Sequence, residues 1–151
     1  MLLAYPAAFY YDDKESSEAK YFITFPDFGG MSGTQGTSIP DAIRMASDWL
    51  GIAIADFIEN GEEPPQPSTI SNLILETANP YKDDTEFNYD PSQSFISMVT
   101  VNIDEYLGQQ EPVKKTLTIP KWADKLGREM DLNFSQTLTE AITEKSMRKR
   151  A

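Results

Sequence analysis

The stretch Lys114–Leu126, KKTLTIPKWADKL, joins two periodicities at one proline. Before Pro120 the pattern is that of a strand. Val113, Lys115, Leu117 and Ile119 fall on one side, and Lys114, Thr116 and Thr118 on the other. Pro120 then suits the first position of a helix, where its missing N–H costs nothing. In that helix Trp122, Leu126 and Met130 stand four apart on one face. Asp131, Leu132 and Asn133 break it, and Ser135 reads as the N-cap of a second helix. There Phe134, Leu138 and Ile142 are again four apart. The closing SMRKR puts cations near the C-terminal end of the helix, where its dipole favours them.

A strand and two helices within 39 residues cannot bury Leu117, Ile119, Trp122, Leu126, Phe134, Leu138 and Ile142 alone. A unit this small draws on a partner for its core. Pairing the strand with its twin from a second chain satisfies the apolar face and makes a two-stranded ribbon over four helices. The outer face of that ribbon carries Lys114, Thr116 and Thr118 twice. A two-stranded ribbon fits the DNA major groove, where hydroxyl and ammonium groups reach base edges. The start of the second helix, at Asn133 and Ser135, offers N–H groups to a phosphate. These five residues are the expected DNA contacts, and the seven apolar ones the expected dimer core. Threonine at two of three outward positions is a weaker reader than Arg, Asn or Gln. The alternative is a helical hairpin that dimerises without touching DNA.

The run KTLTIPKWADKL, the turn DLN and the run FSQTLTEAI resemble the ribbon-helix-helix family of dimeric repressors. The resemblance spans nearly all of residues 113–151. It implies a β-α-α homodimer bound to operator DNA.

Charge separates this unit from the rest of the chain. Residues 1–112 hold 19 Asp/Glu and 4 Lys/Arg, a net −15, whereas residues 113–151 hold 5 and 9, a net +4. The acidic part repels nucleic acid and attracts a basic partner, and the basic part suits phosphates. GQQEP, residues 108–112, reads as a hinge between domains 1–107 and 113–151.

Within 1–107, LLAYPAAFYY from Leu2 reads as a strand, with Pro6 placing it at an edge or a bulge. KYFITFPDF from Lys20 alternates Tyr21, Ile23 and Phe25 against Phe22 and Thr24, a second strand that stops at Pro26. The Gly-rich GGMSGTQGTS from Gly29 has room for a short third. Ser38 reads as an N-cap with Asp41 three residues on and Pro40 in the first turn. The helix it opens runs to Asn60–Gly61, and Ile39, Ala42, Ile43, Ala46, Leu50, Ala53, Ile54, Phe57 and Ile58 form its sheet-facing stripe. EEPPQPS from Glu62 reads as a stiff linker. ISNLILETA is a short helix or a buried turn, and residues 79–93 a polar loop. SFISMVTVNIDEYL from Ser94 alternates Phe95, Ser97, Val99, Val101 and Ile103, a strand that returns to the sheet. The fold class is therefore α+β, ordered β-β-β-α-β, with a separate β-α-α unit behind it.

YPAAFYYDDK followed by KYFITFPDFGGMSGTQGTSIPDAIRMASDWL resembles the N-terminal domain of HicB-type antitoxins. The shared features run from Tyr5 to about Glu59. They are an aromatic Y-P-A-x-F strand, a strand ending F-P-D, a Q-G-x-[ST] segment and a helix with D-A in its first turn. The resemblance implies a partial ribonuclease-H-like fold. It also implies neutralisation of a HicA-type toxin, which is a small basic ribonuclease with a double-stranded-RNA-binding-like fold and a catalytic histidine. Many members of the family carry a DNA-binding C-terminus. The partners implied are thus the toxin, operator DNA and a second copy of the chain, extending to a larger assembly with toxin.

Several chemistries are disfavoured by composition. Without cysteine there is no disulfide, thiolate or zinc–sulfur site. Without histidine the commonest general base and metal ligand are missing. Two-metal nuclease chemistry needs converging carboxylates, yet Asp12, Asp13 and Asp27 fall at turns, where aspartate caps and bends the chain. GGMSGTQG lacks the lysine of a phosphate loop. The expectation is a protein that is no enzyme and has no catalytic residues, metal or cofactor. A metal-dependent nuclease stays as a third reading. No run of about 18 apolar residues occurs, and the start lacks the basic flank of a leader. A cytoplasmic protein with no membrane contact is expected.

Overall fold

Four strands form one antiparallel sheet in a computed structural model of the chain: β1 (Leu2–Tyr11), β2 (Tyr21–Thr24), β3 (Gly33–Gly36) and β4 (Phe95–Asn102). Their order is β3-β2-β1-β4. The structure describes residues 1–14, 18–29, 32–108 and 112–148. The chain divides into two compact units, Leu2–Ile103 and, together with Met1, Asp104–Ala151. The hinge expected at 108–112 falls mostly outside the described residues, as do Lys149 and Arg150.

The strand β1 is central, not an edge. Pro6 is tolerated because β2 reaches only Ala8–Tyr11, so at Pro6 the strand has β4 alone beside it, with Met98 opposite. Residues of alternate parity sort onto the two faces of the sheet. Tyr5, Phe9, Ile23, Val99 and Val101 line one face and are buried. Over that face lies α1, Ile39–Glu59. Its start is that read from the sequence: Ser38 Oγ accepts the Asp41 N–H, and the Asp41 carboxylate reaches back to the Thr37 N–H at 2.9 Å. Asn60 closes its C-terminal end. At Gly36 α1 and β3 are in close approach, since a Cβ there would stand 2.5 Å from the Ala42 Cα.

The stripe of α1 that is buried consists of Ala42, Ala46, Leu50, Gly51, Ile54 and Ala55. Ile39 and Ile43 were expected among them but stay about half exposed, because the first turns of the helix overhang the short strand β3. Further along, Trp49 stacks on Phe25 at 5.0 Å, and Phe28 bridges Trp49 and Phe57.

The segment after α1 is no free linker. Pro64 is buried, Tyr5 Oη donates to the Pro65 carbonyl at 2.7 Å, and the Asp27 carboxylate accepts both the N–H and the hydroxyl of Ser68. Asp27 therefore ties a distant strap down in addition to sitting in its own turn. The chain then makes a 3-10 turn, Ile70–Asn72, and the one-turn helix α2, Leu75–Ala78. Residues 79–93 were read as polar loop, but their aromatics pack on the second face of the sheet. Tyr10 meets Phe87 and Tyr89 at 5.9 and 4.9 Å, and Phe22 meets Tyr81 and Phe87 at 5.6 and 5.9 Å. The sheet thus has a helix on one side and an aromatic loop on the other.

The second unit contains α3, Lys121–Glu129, and α4, Phe134–Arg148. Pro120 is the N-cap of α3 rather than its first helical residue. Asp131, at φ 53°, turns the chain between the helices. The cap of α4 is Asn133, not Ser135. Asn133 Oδ1 accepts the Gln136 N–H at 3.1 Å, and Ser135 lies inside the helix. The amide oxygen of Asn133, one residue before the first helical residue, reaches the N3 donor, which a side chain already within the helix does not.

Candidate functional site

In the second unit, segment 113–119 pairs with no strand among the described residues, and every side chain in it is exposed. The alternation seen in the sequence therefore has no in-chain sheet to serve. Lys114, Thr116 and Thr118 are exposed, and so are the apolar Val113, Leu117 and Ile119 between them. On the helices Trp122 is 67% exposed, Leu126 48%, Phe134 43% and Ile142 60%, while Leu138 is partly covered. Exposed apolar positions on this scale in one small unit are what an unmet interface looks like.

One contact does hold the two helices together. Gly127 is buried, and a Cβ on it would stand 2.5 Å from the Phe134 ring. The ring of Phe134 lies against the backbone of α3 at the one position without a side chain. Along the outside, Arg128 pairs with Asp124, Lys125 with Glu129 and Arg148 with Glu144, each one helical turn apart. Such exposed pairs contribute little to stability. Asn133 is committed to capping α4, and Ser135 Oγ sits in its first turn, where donors to an anion gather.

The first unit offers a groove of about 440 Å³ on the loop-covered face of its sheet. Phe22, Tyr81 and Phe87 wall it, and Asp12, Lys20, Gln35, Asp84 and Glu86 rim it. The three rings are partly exposed, with Tyr81 and Phe87 at 5.4 Å and Phe22 at 5.6 and 5.9 Å from them. Beneath them Tyr10 is fully buried, and its hydroxyl donates to the Leu75 carbonyl at 2.8 Å. Burial pushes the Tyr10 phenol well above its ordinary value, and Tyr89 and Glu76 push the same way. It stays a neutral donor that pins α2 to the sheet.

The sequence alone did not disclose this groove. Its walls come from residues about 60 positions apart in the chain, and the one available signal was three aromatics, Tyr81, Phe87 and Tyr89, in an otherwise polar run. Among the described residues no three His, Cys, Asp or Glu gather as a metal site. Among them, too, no helix is long and apolar enough to cross a membrane.

These two surfaces are found on a chain with solved relatives. The model of the HicB-like antitoxin of bacterial toxin–antitoxin systems matches residues 4–73. A chain in the structure of a toxin–antitoxin complex from Streptococcus pneumoniae is 62% identical, over 96% of this chain and 99% of that one, with a TM-score of 0.70. The crystal structure of the Burkholderia pseudomallei antitoxin HicB is 21% identical over 93% and 96%, with a TM-score of 0.50, a likeness of fold. No curated protein matches the chain. The fold and these relatives define an antitoxin of a bacterial toxin–antitoxin system. The chain belongs to the HicB-like antitoxin family.

Proposed function

We propose that the chain neutralises a HicA-type ribonuclease toxin with its acidic first unit and represses its own operon with a ribbon-helix-helix dimer formed by its second. The observation that carries the second half is the exposed, alternating segment 113–119, which has no strand partner among the described residues of its own chain. A twin strand supplies the missing ladder. The dimer buries Leu117, Ile119, Trp122, Leu126, Phe134, Leu138 and Ile142, and turns Lys114, Thr116 and Thr118 outward to base edges. Asn133 and Ser135 then set the start of α4 against the phosphate backbone.

The first half is supported by charge. A net −15 on residues 1–112 favours a basic partner and disfavours RNA at the same surface. A ribonuclease covered on its RNA-binding face by such a domain loses access to substrate by both bulk and charge. The role is non-catalytic.

The test is co-expression with the toxin encoded beside it, followed by a gel shift of the purified complex on the operon's promoter. Lys114→Ala with Thr116→Ala is expected to abolish the shift and to leave neutralisation intact. A complex that forms but never shifts the promoter reduces the second unit to a dimer clamp. Loss of neutralisation in the same variant overturns the division of labour.

A further inference from the structure

We propose that the groove walled by Phe22, Tyr81 and Phe87 and rimmed by Asp12, Asp84 and Glu86 seats a cationic side chain of the basic toxin, arginine in preference to lysine. The proposal rests on the reading of the first unit as toxin-binding and says where on that unit the contact falls.

Four observations converge on a cation. The walls are aromatic side chains left partly exposed, although they pack on one another and on the sheet beneath. A ring face carries the negative part of its quadrupole and attracts a cation held within about 6 Å. Three carboxylates stand around the rings against a single ammonium, that of Lys20, so the lining is net negative. Two of those carboxylates are oriented by the backbone: Asp12 accepts the Lys14 N–H at 2.9 Å, and Asp84 accepts the Glu86 N–H at 2.8 Å. Finally, the groove is open and of about 440 Å³, which admits the whole planar head of an arginine with its stem.

A guanidinium suits this lining better than an ammonium. It is flat, so it stacks on Tyr81 or Phe87, and its edge still donates to two carboxylates at once. A compact ammonium is more strongly hydrated and gives up more on leaving water. A phosphate or an RNA backbone is repelled by the same rim, so the groove distinguishes the toxin from the toxin's substrate. Core packing alone accounts for Tyr10, which is buried and bonded. Phe22, Tyr81 and Phe87 also pack on one another, yet each stays partly exposed beside the carboxylates of Asp12, Asp84 and Glu86.

The experiment is calorimetric titration of the full chain with a catalytically inactive form of the toxin encoded beside it, at fixed physiological salt. Asp84→Asn with Glu86→Gln is expected to raise Kd about tenfold, and Tyr81→Leu, which keeps apolar bulk but removes the ring face, about threefold or more. Glu62→Gln with Glu63→Gln removes the same charge away from the groove and is expected to change Kd less than about twofold, the scale of screened surface charge. Thermal melts of each variant check folding: Asp84 and Glu86 are exposed, and Tyr81, which is partly exposed, is replaced by a side chain that keeps its apolar bulk. Equal losses in the two charge-matched pairs mean that only the overall field matters, and the groove is then no seat. Unchanged binding in all variants likewise overturns the groove but keeps the antitoxin reading. Wild type that fails to bind the toxin overturns both.

Discussion

At Gly36 a single hydrogen atom separates a strand from a helix. A methyl group there meets the backbone of Ala42, which cannot rotate away as a side chain would. Gly36→Ala is therefore expected to destabilise the first unit by about 1–3 kcal/mol, the scale of overpacking in a core, read by chemical denaturation. Asn133 is the corresponding point in the second unit. Asn133→Ala removes the cap of α4 and is expected to cost about 1 kcal/mol, whereas Ser135→Ala is expected to cost much less. Asp41 adds a pH dependence. The Thr37 N–H and the Arg44 guanidinium hold its carboxyl below the ordinary value, and the Ser92 hydroxyl and the Gln93 side chain do the same for Asp90. A carboxyl with a lowered folded pKa stabilises the fold above its unfolded pKa and ceases to do so as pH falls through the folded one. The melting temperature is thus expected to be flat near neutrality and to decline below about pH 4. Asp41→Asn is expected to make that decline shallower.

At the scale of elements, α1 shows both what the sequence discloses and where it stops. Its caps are local chemistry, complete within Thr37–Asp41 and at Asn60, so the limits of the helix were legible. Its stripe was legible only where a sheet lies under it. Ile43 has the same periodicity as Leu50, yet Leu50 is fully buried and Ile43 is not, because the width of the sheet beneath is a property of other segments. Leu50→Ala is accordingly expected to cost about 2–5 kcal/mol and Ile43→Ala well under 1. The strap at 62–69 and the aromatic loop at 79–93 are hidden from a local reading for the same reason. Both look solvated until residues far back in the chain are brought against them, Tyr5 and Asp27 against Pro65 and Ser68, and Tyr10 and Phe22 against the rings of the loop. Tyr5→Phe removes one hydrogen bond to that strap and is expected to raise amide exchange across residues 63–69 while costing about 1 kcal/mol overall. In the second unit the two helices and their spacing were plain in the sequence, with the capping residues shifted by one or two positions, whereas the strand expected over 113–119 is not formed among the described residues.

At the scale of the molecule, the acidic excess lies in the first unit: residues 1–103 hold 16 Asp/Glu and 4 Lys/Arg, whereas residues 104–151 hold 8 and 9. One presents a negative surface with a shaped groove, and the other a small, nearly open hairpin whose apolar residues face outward. The proposed dimer makes a direct prediction for the intact chain. Sedimentation is expected to show a dimer at micromolar concentration, and Leu126→Glu, which puts a charge on the exposed apolar face of α3, is expected to return it to a monomer without unfolding the first unit. A wild-type chain that remains monomeric at high concentration overturns the ribbon.

Segment 113–119 has no ladder among the described residues of its own chain, and this has a regulatory cost and a use. On the proposed reading the surface that reads DNA is made afresh each time two chains meet. While most chains are single, the number of assembled readers follows the square of the chain concentration, so halving the supply leaves about a quarter of them. Control of the operon would then respond to the amount of antitoxin as a threshold and not in proportion.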